Sequence, residues 1–254
     1  MCETFDRLSI GIVVPCYNEE NSICELVSQF SQSLLSFQSE SKYHSIYFKL
    51  ILVDNGSSDL TRSIISEVSM INKFVDGVYI DKNIGYGNGI LKGLEYLNGM
   101  TQIVGYTHAD LQCDPGDIFR ALSAYSLGHN NFIKGRRYGR PFVDRFFTKG
   151  MSILETLLFQ KRLSDINAQP TIFDSSLYDN FINPPIDFSL DLYNYLLAIQ
   201  SNFLVSRIPV LFGPRKYGNS SWNTGFKARI GFIKRTLKFS LSLRSSILSK
   251  INDK

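Results

Sequence analysis

Through the first half of the chain, short apolar runs rich in Ile and Val alternate with segments whose apolar residues recur at helical spacing. The runs predict buried strands at 9–14, 48–53, 75–80 and 102–106, and the periodic segments predict helices at 20–35, 59–70 and 89–97. In the first helix Ile23, Leu26, Val27, Phe30 and Leu34 share a face, and Ser58 or Asp59 can cap the second. Such a series predicts an α/β fold: a mostly parallel sheet with helices on both faces. Beyond Asp114 and Pro115, which can start another helix, the pattern loosens. Residues 132–140 read as a strand running into a basic loop, 142–159 and 186–199 as apolar helices, and 203–212 as a late strand broken by Pro209.

In an open sheet of this kind ligands bind beyond the carboxyl ends of the strands. Four predicted strand ends carry polar segments: PCYNEE (15–20), DNGSSD (54–59), DKNIGYGNG (81–89) and THADLQ (107–112). Together they supply Asp, Asn, Glu and Gly, as a shared pocket for a polar, phosphorylated ligand requires. The last segment is the most informative. His108, Asp110 and Gln112 are spaced by two, which on an extended segment puts all three on one face, able to converge on one metal ion or one phosphate.

Composition then narrows the classes. With 254 residues, 44% of them hydrophobic, the chain can bury the core of one domain. Its cysteines, Cys2, Cys16, Cys24 and Cys113, form no CxxC pair, so neither a zinc knuckle nor a disulfide framework is expected, and a reducing cytosol fits. Neither a signal peptide nor a bilayer-spanning apolar run is read. The net charge of +4 hides an uneven distribution: between Asp191 and Asp253 there is no acidic residue, whereas Arg207, Arg215, Lys216, Lys227 and further basic residues fall there. In 226–250, Ile230, Ile233, Leu237, Leu241 and Leu248 stand at helical spacing among basic residues. This predicts a basic amphipathic helix for an anionic membrane surface; the alternative is a terminal helix packed on the domain with a solvated basic face.

Each motif has a chemical reading beside a plain one. Asp54 can accept hydrogen bonds from a nucleobase edge or ribose, or DNGSSD can be an ordinary capped strand-to-helix turn. The alternate glycines of GYGNG, from Gly85, let backbone approach a phosphate, but the segment lacks GxGxxG after the first strand, which argues against a dinucleotide site. Oxygen ligands from Asp110 and Gln112 suit Mg2+ or Mn2+, with a diphosphate completing the sphere; His108 can join them or donate to phosphate. The plain reading there is a capped strand end. RKYGNSSW (215–222) gathers Arg215, Lys216 and Ser220 in a loop able to close over a diphosphate, and it does not match GxSxG. Arg136, Arg137 and Arg140 form a second basic loop, which is either solvated surface or a seat for a phosphate-bearing acceptor. A nucleic-acid partner is not expected, since strand-end carboxylates would repel phosphates.

In this order, VPCYNEEN, LVDNGSSD, NIGYGNG, HADLQCDP, NAQPTIF (167–173) and IPVLFGPRKYGNSSW (208–222) resemble the family 2 glycosyltransferases, and within them the dolichyl- or polyprenyl-phosphate sugar transferases. The resemblance implies a GT-A type, Rossmann-like fold over residues 1–222, with the basic segment 223–254 as an extension. It also implies a nucleotide-diphosphate sugar donor, a UDP- or GDP-sugar, together with a divalent metal and inversion at the anomeric carbon. Carried onto this chain, Pro15, Tyr17, Glu19, Asp54, Gly85, His108, Ala109, Asp110 and Gln112 would line the donor site. Asp110 would ligate the metal with Gln112 and His108 beside it, His108 standing where the family's DxD motif has its first Asp. Arg215, Lys216 and Ser220 would bind the phosphates.

The expected reaction transfers a hexose to a polyprenyl-type phosphate on the cytoplasmic face of a membrane, the protein being peripheral. Two alternatives stay open: transfer to a saccharide hydroxyl in cell-surface glycan or lipopolysaccharide assembly, and a non-catalytic nucleotide-sugar-binding module. A hydroxyl acceptor needs a base; Asp191 is the candidate and Asp165 a second, though both can equally be structural or capping residues.

Overall fold

The computed structural model describes residues 8–40, 45–126, 128–217, 231, 234 and 236–244. Its first half follows the predicted alternation: β1 (Leu8–Cys16), α1 (Ile23–Glu40), β2 (Ile46–Asn55), α2 (Thr61–Ile71), β3 (Val75–Ile80), α3 (Tyr86–Leu97) and β4 (Ile103–Tyr106). There follow α4 (Asp117–Ser123), β5 (Asn131–Tyr138), α5 (Phe142–Phe159), β6 (Thr171–Asp174), a 3-10 turn (Ser175–Asn180), α6 (Leu190–Gln200) and β7 (Leu204–Leu211).

The strands form one seven-stranded sheet in the order β3-β2-β1-β4-β6-β5-β7. All pairs are parallel except those of β6, which runs antiparallel to both β4 and β5. The strands other than β6 therefore end on the same edge, so the turns after β1, β2 and β4 and the loop after β7 all emerge there.

Alternate side chains of the central strands serve opposite faces. Ile10, Ile12 and Val14 of β1 and Leu50 and Leu52 of β2 join Ile23, Leu26 and Phe30 of α1, Ile65 of α2 and Ile118 of α4 in one buried cluster. On the other face α3 lies against β1, with Leu97 over Gly11 and Gly93 over Val13. Burying both faces explains why these strands read as continuous apolar runs.

The chain divides into two compact units, residues 1–138 with 168–218, and residues 139–167 with 219–254. The whole sheet belongs to the first. The expected C-terminal extension thus shares its unit with α5. Of the predicted helix 226–250, residues 231, 234 and 236–244 are described and helical; the rest, like Ser220, lies outside the described residues. Among the described residues no helix is long and apolar enough to cross a membrane.

Candidate active site at the carboxyl edge of the sheet

Hydrogen bonds between loops far apart in sequence assemble the site. The turn after β1 is laced to the turn after β2: Asn18 N donates to Ser57 Oγ (3.1 Å), Ser58 N to Asn18 Oδ1 (2.9 Å), Glu19 N to Thr61 Oγ1 (2.8 Å) and Leu60 N to Glu20 Oε2 (2.9 Å). Asp54 is 1% exposed and accepts from Ser57 N at 3.0 Å, closing its own turn. Pro15 is half-buried beside Gly89, and Tyr17 is exposed.

The turn after β4 departs from the expected geometry. Regular strand stops at Tyr106, and Leu111 has a φ of 55°, so His108, Asp110 and Gln112 do not alternate along an extended strand. They sit on a tight turn in which Gln112 N donates to Asp110 Oδ1 (3.2 Å) and Ala109 is buried in the core. The Gln112 side chain donates from Nε2 to Gly213 O (3.0 Å), and Gly213 N donates back to Gln112 O (2.9 Å). This reciprocal pair fastens the loop after β7 to the turn after β4.

Two residues further along that loop, Arg215 Nη2 donates to Glu19 Oε1 at 2.8 Å and Asp110 Oδ2 at 3.4 Å. Three motifs spread over nearly the whole sheet-forming unit thereby meet at one guanidinium. Burial pushes the Glu19 carboxyl up from its ordinary value, an effect Arg215 opposes. Lys216 is held elsewhere, by Glu25 of α1 (2.6 Å), which also accepts from Tyr217 OH (3.0 Å).

The glycine-rich segment serves a different purpose from the one its sequence suggests. A Cβ at Gly85, whose φ is 144°, would stand 2.2 Å from Ile186 O, and one at Gly87 would stand 2.7 Å from Asp187 O. Asn88 N donates to Ile186 O (2.9 Å). The glycines therefore admit the chain's own segment 185–187, and α3 starts at Tyr86, earlier than predicted. That segment is also why α6 begins at Leu190 rather than near 186.

Beneath the turn after β4 lies a buried polar network. Asp191 Oδ1 accepts from Lys134 Nζ (3.0 Å), Gln169 Nε2 (3.0 Å) and Tyr106 OH (3.1 Å), and Lys134 also donates to Thr171 Oγ1 (2.7 Å). Lys134 and Asp191 are 0% and 1% exposed. Asp191 Oδ1 is thus held by three donors inside the protein. Tyr86 stacks on Phe188 with ring centroids 4.6 Å apart, lies 5.6 Å from His108, and accepts from Gln169 Nε2 at 3.3 Å. Burial holds His108 below the ordinary imidazole range, against the pull of Asp110 and Asp191, so its ring is neutral near pH 7. Tyr86 and Gln169 stand inside the motifs NIGYGNG and NAQPTIF but receive no role from them, and Lys134 belongs to none; a lysine inside the apolar run NFIKG is the available signal.

Among the described residues no three His, Cys, Asp or Glu side chains cluster as a metal cage. Asp110 nonetheless offers a partly exposed carboxylate, with the neutral His108 two residues away. This set fits a hard divalent ion that takes most of its ligands from water and a bound diphosphate, as Mg2+ and Mn2+ do.

A mostly parallel sheet with an ionic cluster at its carboxyl edge places the protein in the open-sheet α/β class that binds ligands at that edge. Residues 11–182 match Glycosyl transferase family 2, and the chain belongs to this family. A Proteus mirabilis protein described as undecaprenyl-phosphate 4-deoxy-4-formamido-L-arabinose transferase is 29% identical over 160 residues, 62% of this chain and 45% of that protein. A Shewanella sediminis protein of the same description is 31% identical over 130 residues, 51% and 37% of the two chains. The chain thus spans under half the length of these curated relatives. In crystal structures, glucosyl-3-phosphoglycerate synthase from Mycobacterium tuberculosis with Mn2+, UDP and glucosyl-3-phosphoglycerate matches 93% of this chain and 80% of its own, with a TM-score of 0.65 at 16% identity. The same enzyme with Mn2+ and UDP-glucose gives 0.66 at 16% identity over 93% and 79%. At such identity the likeness is one of fold, and it is the GT-A fold.

Proposed function

We propose that the protein is an inverting glycosyltransferase that moves a hexose from a nucleotide-diphosphate sugar to a polyprenyl-type phosphate. The observation that carries this reading is the meeting of Asp110, Glu19 and Arg215 at the carboxyl edge, which puts a carboxylate suited to a metal ion and a cation suited to a phosphate at one point. The description of the two bacterial relatives as undecaprenyl-phosphate sugar transferases supports the acceptor class.

In this reading the acceptor's phosphate oxygen attacks the anomeric carbon as the bond from that carbon to the diphosphate breaks, and the nucleoside diphosphate departs with the electron pair. Arg215, released from Asp110, meets the negative charge that develops on the leaving oxygens. Asp110, with His108 and Gln112 beside it, would hold Mg2+ or Mn2+, which when bound supplies further positive charge there. Pro15, Tyr17 and Asp54 line the nucleoside end. The acceptor phosphate is already an anion at neutral pH and needs no base. A saccharide hydroxyl would need one, and the engagement of Asp191 with Lys134, Gln169 and Tyr106 favours the phosphate. A lipid acceptor and the basic, acid-free stretch 192–252 further support a peripheral position on the cytoplasmic face of a membrane.

The test is transfer from a panel of UDP- and GDP-sugars to undecaprenyl phosphate in detergent, beside saccharide acceptors, with Mn2+ or a chelator. Sugar-linked lipid phosphate formed with Mn2+ and lost in Asp110→Ala is expected. Transfer to saccharides alone, donor binding without turnover on any acceptor, or full activity of Asp110→Ala would each overturn the proposal.

A further inference from the structure

Helix α5 is built inside out. Of its eighteen residues the two buried ones are polar, Ser152 and Glu155. Its polar side is tied down within its own unit: Ser240 Oγ donates to Glu155 Oε1 (2.8 Å), Asp165 N to Ser152 Oγ (3.1 Å), Leu163 N to Thr156 Oγ1 (3.0 Å), and Arg140 Nη1 to Thr148 Oγ1 (2.7 Å). Its apolar side faces outward. Phe142 (78% exposed), Phe146 (69%) and Leu157 (73%) are the most open, and Val143, Ile153 and Leu154 are exposed beside them. At about 100° per residue these six fall within a sector of about 120°, a continuous stripe along the helix. A soluble domain normally turns such a stripe inward, so one turned outward marks a docking surface.

We infer that the α5 stripe is a membrane-docking face, seated among the headgroups of an anionic lipid surface. Charge selects this occupant. Arg145 and Lys149 are exposed on one flank of the stripe, and Lys161 and Arg162 are exposed just past the helix's C-terminal end. The described residues of this unit hold eight basic against three acidic side chains. Apolar residues rimmed by cations are what an interfacial helix presents to anionic lipid. A second copy of the chain fits less well, because an antiparallel two-fold contact through the stripe sets the Arg145–Lys149 flank beside its own copy, and with eight basic against three acidic side chains the described residues of the unit make a poor counter-rim in other arrangements. The face differs from the C-terminal segment 226–250 in which the sequence placed membrane contact. It complements the proposed lipid-phosphate acceptor, yet docking is read without any transfer reaction.

The full chain would be mixed with phosphatidylcholine vesicles, and with vesicles of equal parts phosphatidylcholine and phosphatidylglycerol, and the bound fraction read by co-sedimentation. Binding to the anionic vesicles is expected, and Phe142→Ser, Phe146→Ser and Leu157→Ser combined should weaken it at least tenfold. Arg145→Gln with Lys149→Gln should weaken it and erase the preference for phosphatidylglycerol. These side chains are exposed, so the urea midpoint of each variant should match the parent's. Anionic-vesicle binding undiminished in the triple serine variant would overturn the proposal. So would a parent that ignores both vesicles, whether it stays monomeric or forms a dimer, by light scattering, that the serine variant abolishes.

Discussion

Arg215 occupies the position where, in the proposed reaction, a metal and a diphosphate come together, and its replacement should therefore act oppositely on the two. Its guanidinium lies 3.4 Å from Asp110 Oδ2. A unit charge pair at that distance is worth about 1 kcal/mol in water and about 5 kcal/mol at an effective dielectric of about 20. The two side chains are 25% and 14% exposed, so solvent screens the pair and the net effect falls near the lower end, about 1–2 kcal/mol. Arg215→Gln removes the competing cation, and Mn2+ should then bind the nucleotide-free protein about 5- to 30-fold more tightly. UDP affinity in the presence of Mn2+ should fall by a similar factor, because the same cation no longer meets the diphosphate. Titration of free Mn2+ by electron paramagnetic resonance reads the first effect, and calorimetry with UDP the second. Arg215→Lys keeps the charge and should hold metal affinity within about threefold of the parent. Unchanged or weaker Mn2+ binding in Arg215→Gln would refute the reasoning, as would an equal gain in Arg215→Lys.

Two further outcomes follow from buried groups. Lys134→Met leaves the buried Asp191 without its cationic partner and should cost about 3–5 kcal/mol in urea denaturation, while adding Asp191→Asn should recover much of that; a single-variant loss under about 1 kcal/mol would contradict the burial argument. Burial raises the Glu155 carboxyl above its ordinary value, so its contribution to stability is full below the unfolded-state pKa and is lost as pH rises through the higher folded value. Glu155→Gln should accordingly raise the thermal midpoint near about pH 8 and match the parent near about pH 4. Parallel pH profiles for the two proteins would count against it.

The alternation from β1 to β4 was readable because strands covered on both faces must be apolar throughout and surface helices must carry a one-sided stripe. β6 was not, since four residues give too short a run for periodicity and its direction depends on neighbours far away in sequence. Helix α5 was read as a helix but not as one whose polar side is buried, because periodicity finds a stripe without saying which way it faces. At the site, Asp110, Glu19 and Arg215 were each singled out from local motifs. Their meeting at one point depends on the Gln112–Gly213 pair, which no local pattern encodes. The glycines at 85 and 87 correctly signalled a close approach, but what approaches is the chain's own backbone. Asp191 looked like a candidate base because a carboxylate in a helical pattern shows neither its burial nor its lysine partner.

The antiparallel placement of β6 beside β5 has a consequence for how this sequence can vary. Adjacent antiparallel strands can be joined by a hairpin of a few residues, whereas parallel neighbours need a long crossover. The excursion 139–167 is therefore longer than the sheet's connectivity requires. Insertions, deletions or exchange of that stretch need not disturb the pairing of Phe132 with Phe173 or of Lys134 with Thr171. The part of the molecule assigned here to the lipid surface is modular with respect to the part assigned to chemistry, so each can diverge, or be swapped by an engineer, on its own.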